Sequence, residues 1–540
     1  DPPIYTNVAY PWGLWPPHLP QNDNPTGCYR TVFVLQDGWR GDGGEALRGH
    51  TERTYLRFDG VDSAFYCWLN GQPVGYSQDS RLAVEFDVTK LIREGSNEPN
   101  LLVLQVMRWC DGSYMEDQDH WWFSGIHRDV WLYSKPAVHL ADIDAKIALT
   151  QSIASLAGST GLEEAEYAAA LKVRCHVRVP SSWSDGGSTD DADEESTPAP
   201  AEGSTVRVHT SLRDANGEVI LRATSSAVYD SSALTWRSSS AVSSESGMIA
   251  GSSTAAVWRG QETVTVEGTP DVITLDVHAP IESGDLYLWS AERPYLYTLL
   301  VSLSIDDEQQ QGGDVPMAAS EEEGAPPHIE YECMRLGART ACVRNKQLLI
   351  NNVPITLKGV NRHEHDPLRG KCVDEASMMR DALMIKASNF NACRAAHYPN
   401  TPRWYEICDE IGLYVVDEAN LETHGLVSLG LHPPHSRLHL NASPIWRRSM
   451  LARVTRMVES NKNHACIFMW SLGNEAGVGP TQLLMRQWIN QRDPTRPTHY
   501  DGSGNCHSGA TSVLSPMYAH PAHCAALVEH SDRPLILTEY

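Results

Sequence analysis

The sequence predicts three consecutive domains: two β-sandwiches, followed by a (β/α)8 barrel that ends after its seventh strand. Three observations support this. Short apolar runs separated by turn signals fill residues 1–136, and similar but more interrupted runs fill residues 137–335. From residue 336 to residue 540, apolar runs of strand length alternate with segments of helical length. A chain of 540 residues is long enough for about three domains of ordinary size.

The first domain, residues 1–136, has the pattern of a sandwich of antiparallel strands. Asp-Gly and Asn-Gly dipeptides at 59–60, 70–71 and 111–112 supply the turns between apolar runs. The predicted strands are 31–35, 54–58, 64–69, 101–107 and 130–133.

The second domain, residues 137–335, contains candidate strands separated by polar stretches. The predicted strands are 173–179, 206–212, 264–266, 272–277 and 299–305. Segments near 181–204, 238–253 and 306–327 are rich in Ser, Gly, Pro and acidic residues. Because they hold few large apolar side chains, they cannot bury enough surface to offset their ordering entropy, and we predict disordered inserts there.

The third domain, residues 336–540, alternates strands with helices, as a parallel barrel does. The predicted strands are 357–361, 390–395, 412–417, 465–472, 498–501, 513–517 and 535–538. The predicted helices include 374–388, 403–411, 445–461 and 480–491.

Composition excludes several classes of partner. A net charge of −25 makes nucleic acid an unexpected partner, because phosphate backbones would be repelled. No apolar run reaches 18 residues, so no membrane-spanning helix is expected. The 12 cysteines form no CxxC pair, which argues against a zinc ribbon or a dense disulfide framework and favours a reducing, cytoplasmic location.

Polar residues follow the predicted barrel strands at the ends where barrel active sites form. These residues are His363, Arg394, His397, Glu422, His424, Asn474, Glu475, Tyr518 and Glu539. Glu475 and Glu539 follow strands four and seven, and a carboxylate pair of this kind suits glycosidic bond cleavage. A separation of about 5 Å would give retention of configuration, whereas a wider gap would admit water and give inversion. Spacing along the chain leaves this distance open.

Long strings of the chain resemble motifs of the lactose-hydrolysing β-galactosidases of glycoside hydrolase family 2. In the barrel they are GVNRHEHDP (359–367), NFNACRAAHYPN (389–400), YVVDEANLETHG (414–425), WSLGNEAGVG (470–479) and RPLILTEY (533–540). Earlier strings include PIYTNVAYP (3–11), NGQPVGYSQDSR (70–81) and RWCDGSYMEDQDHWWFSGIHRDV (108–130), and LWSAERPYLYTL (288–299) resembles the end of the family's middle domain. The resemblance implies a jelly-roll-like sandwich, an immunoglobulin-like sandwich and a TIM barrel.

The resemblance also implies roles for individual residues. Glu475 would be the acid/base and Glu539 the nucleophile, about 5 Å apart. Asn474 would bind the sugar 2-OH, and Arg394 would orient Glu539. The galactose pocket would further include His363, His397, Tyr518, Asn7 and Asp119.

Two cations are implied as cofactors. Glu422, His424 and Glu475 would hold Mg²⁺, and Asp119 would help to hold Na⁺. The alternatives are a surface pair for Glu422 and His424, a turn Asn at Asn7, and a salt bridge between Asp119 and Arg128.

The implied function is that of a retaining β-galactosidase, homo-oligomeric at full length, acting on terminal β-D-galactose of β-galactosides such as lactose through a galactosyl-enzyme intermediate. The alternatives are a β-glucuronidase, a β-mannosidase, an inactive carbohydrate-binding fragment, or a metal-dependent hydrolase that uses Glu422 and His424. Against the family pattern, Asp1 and Tyr540 resemble cut ends of a longer protein. From this we expect the 540-residue chain alone to be inactive or nearly so.

Overall fold

A computed structural model describes most of the chain. The described residues are 4–20, 22–37, 39, 52–151, 167–180, 204–230, 235–239, 244–246, 272–281, 286–306, 328–429, 439–502 and 508–540. The predicted strand 264–266 and nearly all of the predicted inserts lie outside these residues.

The first domain is a sandwich of antiparallel strands. Its strands are β1 Thr26–Phe33, β2 Arg53–Phe58, β3 Val61–Asp62, β4 Ala64–Leu69, β5 Gln72–Gln78, β6 Val84–Asp87, β7 Asn100–Met107, β8 Gly125–Ile126 and β9 Val130–Lys135. One sheet has the order β1-β7-β4-β5, a second has the order β6-β2-β9, and β3 pairs with β8. Alternate residues of both sheets, among them Phe58, Phe65 and Leu104, form one apolar core.

The second domain is another sandwich. Its strands are β10 His139–Gln151, β11 Tyr167–Arg178, β12 Thr205–Arg213, β13 Val219–Asp230, β14 Thr235–Ser239, β15 Ser244–Ser246, β16 Val272–Ile281, β17 Tyr297–Asp306 and β18 His328–Leu336. The sheet β10-β11-β16 and the sheet β14-β13-β12-β17-β18 share a core that includes Leu171, Val208 and Leu303.

The predicted disordered inserts need correction at three places. Residues 238–239 and 244–246 lie in β14 and β15, and both strands pair with β13. Main-chain hydrogen bonds form such a ladder, so Ser-rich sequence does not prevent pairing at a sheet edge. At the margins of the other two inserts, Ser204 is buried beside β12 and Asp306 ends β17.

The third domain begins with a small antiparallel sheet and continues into a parallel barrel wall. The small sheet contains β19 Ala341–Arg344, β20 Gln347–Ile350 and β21 Val353–Pro354. The barrel strands are β22 Gly359–Arg362, β23 Ala392–Ala395, β24 Tyr414–Glu418, β25 Ile467–Asn474 and β26 Thr498–Asp501. They pair in parallel in chain order. All eight residues of β25 are buried, as expected for a strand covered on both faces.

Helices connect the strands of this wall. They are α1 Glu375–Ala387, α2 Pro402–Ile411, α3 His424–Ser428, α4 Pro444–Asn461, α5 Pro480–Arg492 and α6 Pro521–Glu529, with a 3-10 helix at Leu440–Ala442. A further 3-10 helix, Asp111–Met115, lies in the first domain. Asp374 caps α1 by accepting from the Ser377 main-chain N–H, and α2, α4, α5 and α6 begin with proline in the first turn.

The sixth and seventh predicted strands are wrong as full strands. A single parallel bridge between Leu514 and Leu535 represents both. The Leu514 N–H donates to the Pro534 carbonyl and the Ile536 N–H donates to the Leu514 carbonyl, each at 2.8 Å. Pro516 and Pro534 have no N–H, so they cannot extend the ladder. The prediction of two sandwiches followed by a barrel is confirmed as a fold class, with the sixth and seventh strands reduced to this single bridge.

The first domain packs against the end of the barrel at which the parallel strands finish. Buried ion pairs join the two: Arg453 with Glu116 at 2.7 Å and Arg128 with Glu364 at 2.6 Å. The Glu422 N–H donates to the carbonyl of Met115 at 2.8 Å, so the first domain borders the barrel rim directly. Among the described residues, no helix is long and apolar enough to span a bilayer.

Candidate active site

The end of β25 turns sharply where it delivers Glu475 to the barrel rim. Gly473 has a φ of +129°, and a Cβ at this position would lie 2.4 Å from the Leu421 carbonyl oxygen. Glu475 itself has a φ of +34°, and its N–H donates to the Asp501 carbonyl at 3.2 Å. A positive φ outside glycine marks a conformation that the surrounding structure must hold in place.

Glu539 lies among three polar side chains. Arg394 donates from Nη1 to its Oε1 at 2.7 Å, and the Tyr518 hydroxyl donates to its Oε2 at 2.5 Å. His397 Nε2 lies 3.8 Å from Oε1. Burial alone would raise the pKa of Glu539, but the charge of Arg394 and the two hydrogen bonds hold that pKa below its usual value. The carboxylate is therefore ionised and oriented.

Arg394 connects Glu539 to two neighbouring strand ends. Its Nε and Nη2 donate to the two carboxylate oxygens of Glu418 at 2.8 and 3.0 Å, a bidentate pair. Nη2 also donates to Asn474 Oδ1 at 2.9 Å. The guanidinium is thus fixed by partners at the ends of β24 and β25.

Glu418 is completely buried beneath this group and was assigned no role by the sequence. It accepts from Ser471 Oγ at 2.6 Å and lies 2.8 Å from His397 Nδ1. Burial opposes its ionisation, yet the charge of Arg394 holds the pKa of Glu418 well below its usual range. His499, also unpredicted, places Nδ1 2.9 Å from Ser471 Oγ, and burial lowers the pKa of His499 to about 3. For Glu418, the only signal in the sequence was an acidic residue at the end of a predicted strand.

Glu475 also belongs to a second cluster, which it forms with Glu422 and His424. One ligand atom from each lies within 4.8 Å of the others. His424 Nδ1 is 2.8 Å from Glu475 Oε2 and 3.9 Å from Glu422 Oε1. The hydrogen bond to Glu475 raises the pKa of His424, despite its partial burial.

Glu422 fits a cation ligand better than a surface residue. It is 1% exposed, and its Oε2 has no hydrogen-bond partner among the described residues. Burial, then the charges of Asp117 and Glu475, raises the pKa of Glu422 well above its usual value. Such crowding of buried carboxylates is costly unless a proton or a cation compensates it, and oxygen-rich sites suit Mg²⁺.

The remaining predicted residues are placed less uniformly. His363 packs beside His397 with ring centroids 5.3 Å apart, and burial lowers the pKa of His363 to about 3. Tyr518 is 68% exposed at the rim. Asp119 is exposed and accepts from the Tyr5 hydroxyl at 2.6 Å. Asn7 is exposed in a turn with a φ of +52°, and in the described part of the chain no hydrogen bond joins its side chain to Glu539 or its partners.

The alternative salt bridge between Asp119 and Arg128 is not formed. Arg128 pairs with Glu364 at 2.6 Å and donates to the Arg81 carbonyl at 2.7 Å. Arg128 is therefore engaged by Glu364 and the Arg81 carbonyl, and Asp119 accepts its hydrogen bond from the Tyr5 hydroxyl.

Two family models match this chain. Residues 1–136 match the sugar binding domain of the glycosyl hydrolases family 2, and residues 341–540 match the TIM barrel domain of the same family.

Curated relatives match along the whole chain. A Vibrio cholerae protein named beta-galactosidase is 40% identical over 556 aligned residues, and one from Pectobacterium atrosepticum is 37% identical over 556. Both alignments cover 100% of this chain and 43% of the relative, so the chain spans less than half the length of these proteins.

Solved structures share the fold at low identity. A glycosyl hydrolase family 2 member from Bacteroides cellulosilyticus has a TM-score of 0.64 and 19% identity, with 95% of this chain and 53% of that chain covered. A Bifidobacterium dentium beta-glucuronidase has a TM-score of 0.63 and 20% identity, with 95% and 74% covered.

Proposed function

Because the chain belongs to glycosyl hydrolase family 2, we propose that its protein is a retaining β-galactosidase. The substrates would be β-galactosides such as lactose, from which it would remove the terminal non-reducing β-D-galactose. The observation that carries this proposal is the different environment of the two carboxylates. Glu539 is held as an oriented anion by Arg394 and Tyr518, whereas Glu475 accepts a hydrogen bond from His424 beside the cation cluster.

In the proposed reaction, Glu539 attacks the anomeric carbon while Glu475 protonates the departing glycosidic oxygen. The galactosyl-enzyme intermediate is then hydrolysed by water that Glu475 deprotonates. The ionised state of Glu539 suits a nucleophile, and Arg394 and Tyr518 fix its orientation before substrate arrives.

Asn474 would contact the sugar 2-OH in this proposal. Its Oδ1 already accepts from Arg394 at 2.9 Å. The hydroxyl would therefore be bound by the amide N–H group. His363, whose pKa is lowered by burial, and His397, which is hydrogen-bonded to Glu418, would line the pocket. Asn7 and Asp119 would contribute to the pocket from the first domain.

We further propose Mg²⁺ at Glu422, His424 and Glu475, and Na⁺ beside Asp119. The unpartnered Oε2 of Glu422 supports the first site, and a bound Mg²⁺ would supply positive charge next to Glu475. A homo-oligomeric state and a cytoplasmic location stay predictions.

The galactose preference is supported by the names of relatives at 37 to 40% identity. The solved beta-glucuronidase is 20% identical and informs the fold alone. The test uses the protein at its full natural length, because the chain spans 43% of its curated relatives. Aryl β-galactoside, β-glucuronide and β-mannoside are compared by kcat/KM, and the galactoside should be preferred at least about tenfold, a difference of roughly 1.4 kcal/mol in transition-state binding.

The stereochemistry of the product tests the double displacement. Proton NMR of early hydrolysis should show β-galactose before mutarotation. First-formed α-galactose, or a preference for the glucuronide, would contradict the proposal.

A further inference from the structure

Asp117, a buried carboxylate of the first domain, lies beside the proposed Mg²⁺ ligands. We propose that Asp117 is a positioning residue of that site, which anchors the ligand loop with one oxygen and offers the other to the hydrated cation as an outer-sphere acceptor. The inference rests on the proposed Mg²⁺ site and adds to it a residue from another domain.

Main-chain contacts attach the Asp117 segment to the ligand loop. The Asp117 N–H donates to the Glu422 carbonyl at 3.2 Å, and the Glu422 N–H donates to the Met115 carbonyl at 2.8 Å. Glu116 and Glu422 thus form a parallel β-bridge between the first domain and the barrel. One edge of the ligand loop is therefore held by the first domain.

The side chain of Asp117 holds the opposite end of the same loop. Its Oδ2 accepts from the Gly425 N–H at 2.7 Å, immediately after His424. A Cβ at Gly425 would lie 2.6 Å from the Val8 carbonyl oxygen and 3.0 Å from Asp117 Oδ2. Because only glycine permits this approach, the contact fixes the start of α3 and with it the backbone of His424.

The second oxygen of Asp117 has no assigned partner. Asp117 is fully buried, and in the described part of the chain its Oδ1 accepts no hydrogen bond. The Tyr10 hydroxyl donates to the Tyr114 carbonyl at 2.9 Å. Glu422 Oε2 is likewise buried and unpartnered.

Two adjacent buried carboxylates with one unpaired oxygen each need a compensating group. A cation ligated by Glu422 compensates one charge, and its bound water supplies a donor for an outer-sphere acceptor. Acceptors in this position usually orient the ligands and strengthen metal binding, and their loss lowers metal affinity by about 10- to 100-fold. Asp117 has the burial, the unpaired oxygen and the loop contact that this role requires.

The test is isothermal titration of Mg²⁺ into metal-stripped protein of full natural length. Asp117→Asn keeps an oxygen that can accept from Gly425 but removes the charge, and it should weaken Mg²⁺ binding about 10- to 100-fold. Asp409→Asn is the matched control, because Asp409 is also buried but bonds to the Cys466 N–H at the opposite end of β25. Its Mg²⁺ affinity should equal that of the wild type.

Three results distinguish an error in the proposed Mg²⁺ site from an error in the role assigned to Asp117. If the wild type binds no Mg²⁺, or if Glu422→Gln binds it as well as the wild type does, the proposed metal site itself is wrong. If the wild type binds and Glu422→Gln does not, equal affinity of Asp117→Asn and wild type overturns the role of Asp117. Should Asp117→Asn lose its fold in circular dichroism, Asp117→Ser replaces it under the same criterion.

Discussion

Replacing Tyr518 by Phe should raise the pKa of the proposed nucleophile. The hydroxyl donates to Glu539 Oε2 at 2.5 Å and helps to hold the pKa of Glu539 below its usual value. A hydrogen bond to a charged group contributes about 1.5 to 3 kcal/mol, and the 68% exposure of Tyr518 favours the lower end. Since 1.36 kcal/mol corresponds to about one pKa unit, the pKa of Glu539 should rise by roughly one unit.

The assay is the pH dependence of kcat/KM for an aryl β-galactoside, which reports ionisations of the free enzyme. Glu539 must be ionised to attack, so a higher pKa moves the acidic limb of the profile to higher pH by roughly one unit. The melting temperature should change little, because an exposed side chain leaves no cavity. Tyr540→Phe is the control, since Tyr540 is the next residue after Glu539 and is 86% exposed without a bond to it. An unmoved acidic limb in Tyr518→Phe, or an equal shift in Tyr540→Phe, would show that the Tyr518 hydroxyl does not lower the pKa of Glu539.

Three further changes have definite expected outcomes. Arg394→Met leaves Glu418 buried without its bidentate partner and should lower the free energy of unfolding by about 3 to 5 kcal/mol in urea denaturation; a loss below about 1 kcal/mol would contradict this. Gly473→Ala forces a Cβ against the Leu421 carbonyl at a φ of +129° and should cost at least about 2 kcal/mol and most activity, whereas wild-type turnover would show that the turn is tolerant. Glu422→Gln should abolish the loss of activity on chelation and its recovery with added Mg²⁺, and a chelator response equal to that of the wild type would argue against this ligand.

The regular part of the barrel was predictable because its local signals agree with its tertiary structure. Helix α5 begins at Pro480 as predicted, and β26 spans the predicted residues 498–501. The predicted sixth and seventh strands, 513–517 and 535–538, satisfy the hydrophobic pattern but are reduced to a single bridge. Pro516 inside the first run and Pro534 immediately before the second lack the N–H groups that would extend the ladder.

The hydrogen-bond and ion-pair partners of the site residues could not be predicted from spacing along the sequence. Glu418 was visible at a strand end, but its pairing with Arg394 joins residues 24 positions apart through tertiary packing. His499 gave no signal, because a histidine inside the short strand Thr498–Asp501, rather than after its end, has the pattern of an ordinary buried structural residue. Asp117 contacts Gly425 across 308 positions and between two domains, a relation that no local periodicity encodes.

Trapping the glycosyl-enzyme intermediate tests whether Glu539 is the nucleophile of a retaining galactosidase. The protein at full natural length is incubated with a 2-deoxy-2-fluoro-β-galactoside that carries an activated leaving group, digested, and analysed by mass spectrometry. We expect one fluorogalactosyl group on the peptide that contains Glu539, and no such group in Glu539→Gln. A label on Glu475, a label elsewhere, or turnover of aryl β-galactoside by Glu539→Gln at the wild-type rate would contradict it.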